Sequence, residues 1–146
     1  MTTSQHRVRA EVSTPEQFSH WLDIHARNRD TDQFGHVNHA AMATLFEESR
    51  IALIFASEHG DEIAGIDLLV ASLTMTFHKE LRAPGPVRVG AIVTRIGSSS
   101  LDIRQGLFVG DICYASADAA CVLFGSRSRR PVKVSDVLRA SLLKAG

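Results

Sequence analysis

The chain has little of several things. Among its 146 residues are only two cysteines, no long uninterrupted apolar run, and no excess of either charge, with 16 Lys plus Arg against 16 Asp plus Glu. Each shortage excludes a class of protein. Charge balance removes bulk attraction to nucleic acid or an anionic membrane, so an anionic ligand would have to be met by a local basic cluster. No stretch is apolar for the length a bilayer span requires. The opening residues, MTTSQHRVRAEV, lack the apolar block of a signal peptide, so a cytoplasmic location is expected. Cys113 and Cys121 lie eight apart in an alternating stretch. They share a face but are separated along it at roughly 3.3 Å per residue, too far to bridge. They read as small core residues in a reducing compartment. Internal repeats and low-complexity segments are also missing. The length suits one domain, expected over residues 16–146 behind a loose polar extension at 1–15.

Hydrophobic periodicity supplies the elements. Leu22, Ile24 and Ala26 alternate with Asp23, His25 and Arg27, the period of a half-buried strand. After a turn-rich stretch, Asn38 is placed to cap a helix and Gly60 to end it, with some twenty helix formers and no proline between. On that helix Met42, Leu45, Phe46, Ala52, Leu53 and Ala56 gather on one arc, while Ile51 and Phe55 fall nearly opposite and point to a second partner surface. The period then drops to two. Leu69, Ala71, Leu73, Met75 and Phe77 share one face, and Pro84-Gly85-Pro86 ends that arm. Val87 to Val93 form the next strand, stopped at Gly97. Leu101 to Val109 form another, turned back at Gly110-Asp111. From Ile112 to Phe124 one face carries Cys113, Ala115, Ala117, Ala119 and Cys121, small enough for the long helix to lie over it. A basic cluster and a short helical segment from Val134 to Leu143 close the chain. The sum is an α+β domain, strand, helix, then four antiparallel strands, with one sheet wrapping one helix.

The segment RDTDQFGHVNHAAMATLFEESR, Arg29 to Arg50, concentrates the chemistry. Asp30 and Asp32 stand in a turn, Gly35, His36 and His39 follow, and Glu47, Glu48 and Arg50 lie on the helix. Acids, imidazoles and a helix N-terminus within about twenty residues are the material of acid–base and acyl-transfer chemistry.

The order strand, D-x-D-x-x-G-H-V-N-H, helix with E-x-x-R from Glu47 to Arg50, then four strands resembles the hotdog fold. More narrowly it resembles the 4-hydroxybenzoyl-CoA thioesterase-like acyl-CoA thioesterases, including the bacterial Tol–Pal-associated branch, over roughly His20 to Pro131 with the Gly97–Ser100 turn. The resemblance implies a five-stranded antiparallel sheet around one long helix, and hydrolysis of a coenzyme A thioester to acid and free CoA. It implies no metal or redox cofactor, and a homodimer or homotetramer with sites at subunit interfaces. It puts the catalytic aspartate at Asp32 and an assisting histidine at His39. Two tyrosines frequent in the family are replaced, by Asn28 four residues before Asp32 and by Met42 early in the helix, which bears on the acyl group.

Each residue also has a plainer role. Asp32 is nucleophile or general base on water, or else a turn carboxylate. The N–H groups of the first helical turn, at Asn38 and His39, are expected to hold the oxyanion with help from the helix dipole. The His39 side chain orients water or the carbonyl, or is a polar helix start. Glu47 reaches the site, or pairs with Arg50 at i,i+3. His36 bonds the turn, and Glu48 is solvated or at an interface. Arg127, Arg129 and Arg130 meet CoA phosphates or form a solvated tail, and Ser99 and Ser100 bind ligand or make a turn.

Two other functions compete. A hotdog enoyl-CoA hydratase or dehydratase would pair a histidine with an acid, but the Asp-Asn-Pro-x-His pattern of one such branch is absent. The other is non-catalytic, an acyl-CoA-binding or oligomerisation module, or a metal site using His36-x-x-His39 with Asp30 or Asp32, a weak signal without a strong third ligand.

Overall fold

The computed structural model describes residues 12–82 and 84–144. Most of the expected extension at 1–15 therefore lies outside the described residues; its end runs into a 3-10 turn at Pro15–Gln17. Then follow β1 (His20–Ala26), a 3-10 turn at Asn28–Asp30, α1 (His39–Ile54), a 3-10 stretch at Ser57–Ile63, β2 (Ile66–Phe77), β3 (Gly85–Ile96), β4 (Ser100–Val109), β5 (Ile112–Gly125) and α2 (Asp136–Lys144). The strands make one antiparallel sheet in the order β1-β3-β4-β5-β2. Helix α1 packs on one face, which is the hotdog architecture. None of the described helices is long and apolar enough to cross a membrane.

The sheet's inner face and α1 share the core. Met42, Leu45 and Phe46 pack with Ala26, Val87, Val89, Leu107, Ala115 and Ala117. Further along, Leu53 and Ile54 join Leu101, Ile103, Cys121, Leu123 and the buried side of α2, Leu138 and Leu142. Both cysteines are buried and free. On the outer face Phe18, Trp21 and Phe108 meet edge-to-face, with centroids 5.5 to 6.0 Å apart. They lie directly on Gly90 and Gly106, where an added Cβ would come within 2.8 Å and 3.0 Å of Phe18 respectively.

Four features of the structure differ from the sequence reading. Helix α1 stops at Ile54, six residues before Gly60, which instead sits in the following 3-10 stretch with φ +56°. A side chain from outside the helix supports this end: His59 Nε2 lies 2.8 Å from the Leu53 carbonyl, and Nδ1 lies 2.6 Å from Ser141 Oγ of α2. Second, Ala52 and Ala56 are only half-buried, whereas Ser49 and Arg50 are buried. Arg50 does not pair with Glu47. It turns inward, its Nη1 donating to Gln105 Oε1 at 3.0 Å, while Gln105 Nε2 donates to the Phe46 carbonyl at 2.8 Å. Burial lowers the Arg50 pKa, opposed by Cys121 and Glu47. Third, a bulge between Val70 and Ser72 splits the expected β2 face. Leu73, Met75 and Phe77 stand opposite inward residues of β5, but Leu69 stands opposite Val122 on the outer side. Fourth, the α1 backbone comes nearest to β3 and β1 and meets β5 through its side chains. The small face of β5 is filled by the long side chains of Met42 and Phe46. Ile51 and Phe55 are exposed as expected, at 45% and 40%.

His20 opens β1 with its Nδ1 buried and without a hydrogen-bond partner among the described residues. Burial holds its pKa below the ordinary 6.5; Glu58 pulls it up and His59 pushes it down. The unfolded chain therefore binds more protons than the folded one below that value, so this group costs stability as pH falls through about 6.5. His20→Gln removes the titration. Its melting temperature should fall less than that of the unaltered chain between about pH 7.5 and about pH 5.5 in thermal melts. Equal falls would show that the imidazole carries no such penalty.

Candidate active site

The loop between β1 and α1 is tied down by its own amides. The Asp32 N–H donates to the His36 carbonyl at 2.8 Å, the Asn38 N–H to the Asp30 carbonyl at 2.9 Å, and the Val37 N–H to the Leu81 carbonyl at 2.7 Å. Gly35 takes φ +78° to close this tight turn, which non-glycine residues rarely adopt. Asn38 then caps the helix, its Oδ1 accepting from the Ala41 N–H at 2.7 Å. The glycine, the asparagine and the spacing between them thus set where the helix begins.

Asp32 has two roles open to its two oxygens. Oδ1 accepts from the N–H of Phe34 at 2.9 Å and of His36 at 3.2 Å, the turn role. Oδ2 has no hydrogen-bond partner among the described residues. The side chain is half-buried and lines a cavity of about 430 Å³ with His36, Val37, Asn38, His39 and Met42 from the loop and helix. Phe77, His78, Lys79, Glu80 and Leu81, at and just after the end of β2, form the other wall. That is an ordinary size for a small-molecule site.

The helix start offers two free donors. Expected donors were the N–H groups of Asn38 and His39, but the Asn38 N–H is spent on Asp30. Those of His39 and Ala40 have no acceptor among the described residues, while Ala41 and Met42 are bonded to Asn38. Asn38 thus contributes its cap in place of its amide.

The other predicted residues divide. The His39 ring stacks on Phe77, with centroids 3.8 Å apart and planes at 12°. His36 Nε2 lies 3.3 Å from Glu80 Oε2, which also takes Arg82 at 3.0 Å, so the His36 side chain lies against the β2–β3 connection. Glu47 and Glu48 are exposed and outside the cavity lining. Arg127, Arg129 and Arg130 follow β5 at the other end of the sheet. Arg129 pairs with Asp67 at 3.1 Å and lies over Phe124. Asp67 is ten residues along β2 from Phe77, roughly 33 Å in an extended strand. Ser99 and Ser100 lie at that same far end, where the Ser99 carbonyl accepts from the Leu123 N–H at 2.9 Å. Within one chain these five residues are not gathered with Asp32.

Sequence reasoning missed the wall formed by Phe77 to Leu81. Its one visible signal is the run His78-Lys79-Glu80, where polar residues break an alternating strand. Nothing local says that this run faces the helix start, because the contact joins segments about forty residues apart.

The thioesterase superfamily profile matches residues 34–113, more than half of the chain, and begins two residues after Asp32. No curated protein matches. Among solved structures, the PA5185 protein of Pseudomonas aeruginosa is similar at 25% identity with a TM-score of 0.83, covering 92% of this chain and 96% of that one. A thioesterase of Thermus thermophilus complexed with coenzyme A and Zn is similar at 22% identity, TM-score 0.76, over 89% and 96%. The DHNA-CoA thioesterase of Staphylococcus aureus is similar at 22% identity, TM-score 0.70, over 86% and 87%. By the span of the profile match and the fold it shares with these proteins, the chain belongs to the thioesterase superfamily and is a thioester hydrolase.

Proposed function

We propose that this chain is an acyl-CoA thioesterase in which Asp32 drives attack on the thioester carbonyl and the start of α1 holds the resulting oxyanion. One observation carries the reading: a half-buried carboxylate lines a 430 Å³ cavity with His39 at the start of α1, and among the described residues one of its oxygens and the N–H groups of His39 and Ala40 have no hydrogen-bond partner. Coenzyme A as the leaving thiol is supported by the T. thermophilus relative, which is complexed with it, and by the CoA thioesterase of S. aureus.

The carbonyl oxygen sits against the N–H groups of His39 and Ala40, where the helix dipole favours developing negative charge. Acting as base, Asp32 Oδ2 takes a proton from water as the water oxygen bonds to the carbonyl carbon. The C–S bond then breaks, and the thiolate leaves and is protonated. Acting as nucleophile, Oδ2 itself bonds to that carbon and expels the thiolate. Water then hydrolyses the anhydride. Label found in Asp32 after a single turnover in ¹⁸O-water identifies the second route with water attacking Cγ, since the first route leaves both carboxylate oxygens in place. The His39 imidazole orients water or the carbonyl from the cavity wall.

The reading includes a homo-oligomer, dimer or tetramer, with the site completed at an interface. Edge strand β2 supports this. Among the described residues it leaves one side unpaired, and it exposes Leu69, Val70 and Leu73. Antiparallel pairing of two β2 strands about their midpoints would set the Asp67–Arg129 end of one copy beside the Phe77 end of the other. The basic loop, too far away in its own chain, would then be within reach of CoA phosphates.

Asp32→Asn keeps Oδ1 for the turn amides and removes only the charge. It should lower kcat/KM on a panel of acyl-CoAs by at least about a hundredfold, followed as thiol release. An unchanged rate, or no cleavage of any member by the unaltered protein, ends the assignment. Asn38→Ala should cost about 1 kcal/mol of stability in denaturant unfolding yet lower kcat far less than Asp32→Asn, because the oxyanion donors are backbone groups. Leu73→Lys places a charge on the β2 edge and should yield monomers by gel filtration with most activity lost. Full activity in a monomer would refute the shared site.

A further inference from the structure

We propose that Phe77 is a positioning residue that holds the His39 imidazole in its working orientation, an inference resting on the role given to His39 above. His39 is the first residue of α1 and is exposed. An exposed imidazole ordinarily exchanges rotamers on the picosecond to nanosecond scale. Here one ring face is covered by Phe77 at 3.8 Å and 12°. Rotation of the imidazole would break that contact, so both ring nitrogens are kept in the plane of the stack, along a cavity that Asp32 also lines.

Both ends of the contact are anchored. Phe77 is the last residue of β2, opposite Ala115, and the next two amides, of His78 and Lys79, both donate to the Tyr114 carbonyl at 2.9 Å and 3.2 Å. That shared acceptor ends the ladder and fixes the backbone from which Phe77 projects. On the other side the Asn38 cap sets the backbone of His39. Phe77 remains 38% exposed although it packs on His39. It is the only phenylalanine, tyrosine or tryptophan among the cavity residues. A large apolar ring left half in solvent gives little to the core. Stacked on the one exposed histidine of the site, it joins the end of β2 to the start of α1 across the cavity.

Ring-current shifts report the stack independently of catalysis. In the full-length protein the His39 ring protons should resonate upfield, lose that shift in Phe77→Leu, and keep it in Phe77→Tyr. Phe77→Leu should lower kcat about three- to tenfold with KM little changed, as expected when orientation in the transition state is lost. Phe77→Tyr should restore the rate. Phe77→Leu added to His39→Ala should cost nothing more, since its target is already gone. Phe77→Leu should also elute at the unaltered volume on gel filtration; a fall in mass would make Phe77 a subunit contact and overturn its positioning role. Unshifted His39 signals, an unchanged kcat in Phe77→Leu, or losses that multiply in the double variant would each overturn the proposal. If His39→Ala alone keeps full kcat while Asp32→Asn is dead, the role of His39 fails and this inference with it, leaving the thioesterase reading standing.

Discussion

Between Phe34 and Met42 every backbone N–H except those of His39 and Ala40 has an acceptor among the described residues. That inequality is the constraint on which the site depends. Buried or crowded amides must be paired, and the cheapest partners are local. Asp32 takes two of them with Oδ1 and a third with its carbonyl, Asp30 takes another, and Asn38 takes two as the helix cap. What is left over is left over in one place, at the positive end of a sixteen-residue helix. The same turn that uses one oxygen of Asp32 leaves the other unbonded among the described residues, on a side chain that lines the same cavity as His39. A structural role and a catalytic role for this carboxylate are therefore compatible, because they use different atoms.

A loop bonded only to itself could still swing. This one is joined to the sheet at Leu81 through the Val37 N–H, and its His36 side chain lies against Glu80. Both contacts fall on the connection that follows β2. The cavity thus has one wall from the loop and helix start and one from the end of a strand, each held by backbone bonds. Geometry good to a fraction of an ångström is what acyl transfer demands of its supports.

The fold was largely legible because it is written in short-range periodicity. Alternation marked all five strands, Gly110 the two-residue turn between β4 and β5, and Asn38 the start of α1. What escaped notice depends on distant partners. Helix α1 ends at Ile54 where a histidine side chain meets its last turn, so the glycine at 60 misled. One residue of bulge at Ala71 turned Leu69 to the outer face, and no alternation rule reveals a bulge in advance. Arg50, which one of two readings of Glu47 paired with that residue, turns inward instead, where Gln105 of β4 offers it an acceptor.

Of the candidate cavity, the loop and helix start were legible and the far wall was not; Asp32 lines it, whereas Glu47 does not and Glu80 was not anticipated. Asp32, Asn38 and His39 lie in one short segment, and local turn and cap chemistry was enough to place them. The basic residues were grouped with the site only because their charge suits phosphate, which says nothing about position. Strand length decides the matter within one chain: some ten residues of β2 lie between Asp67 and Phe77, and an extended backbone cannot shorten that separation. A charge complementary to a ligand is evidence of a contact only after topology has brought the two to the same end of the sheet.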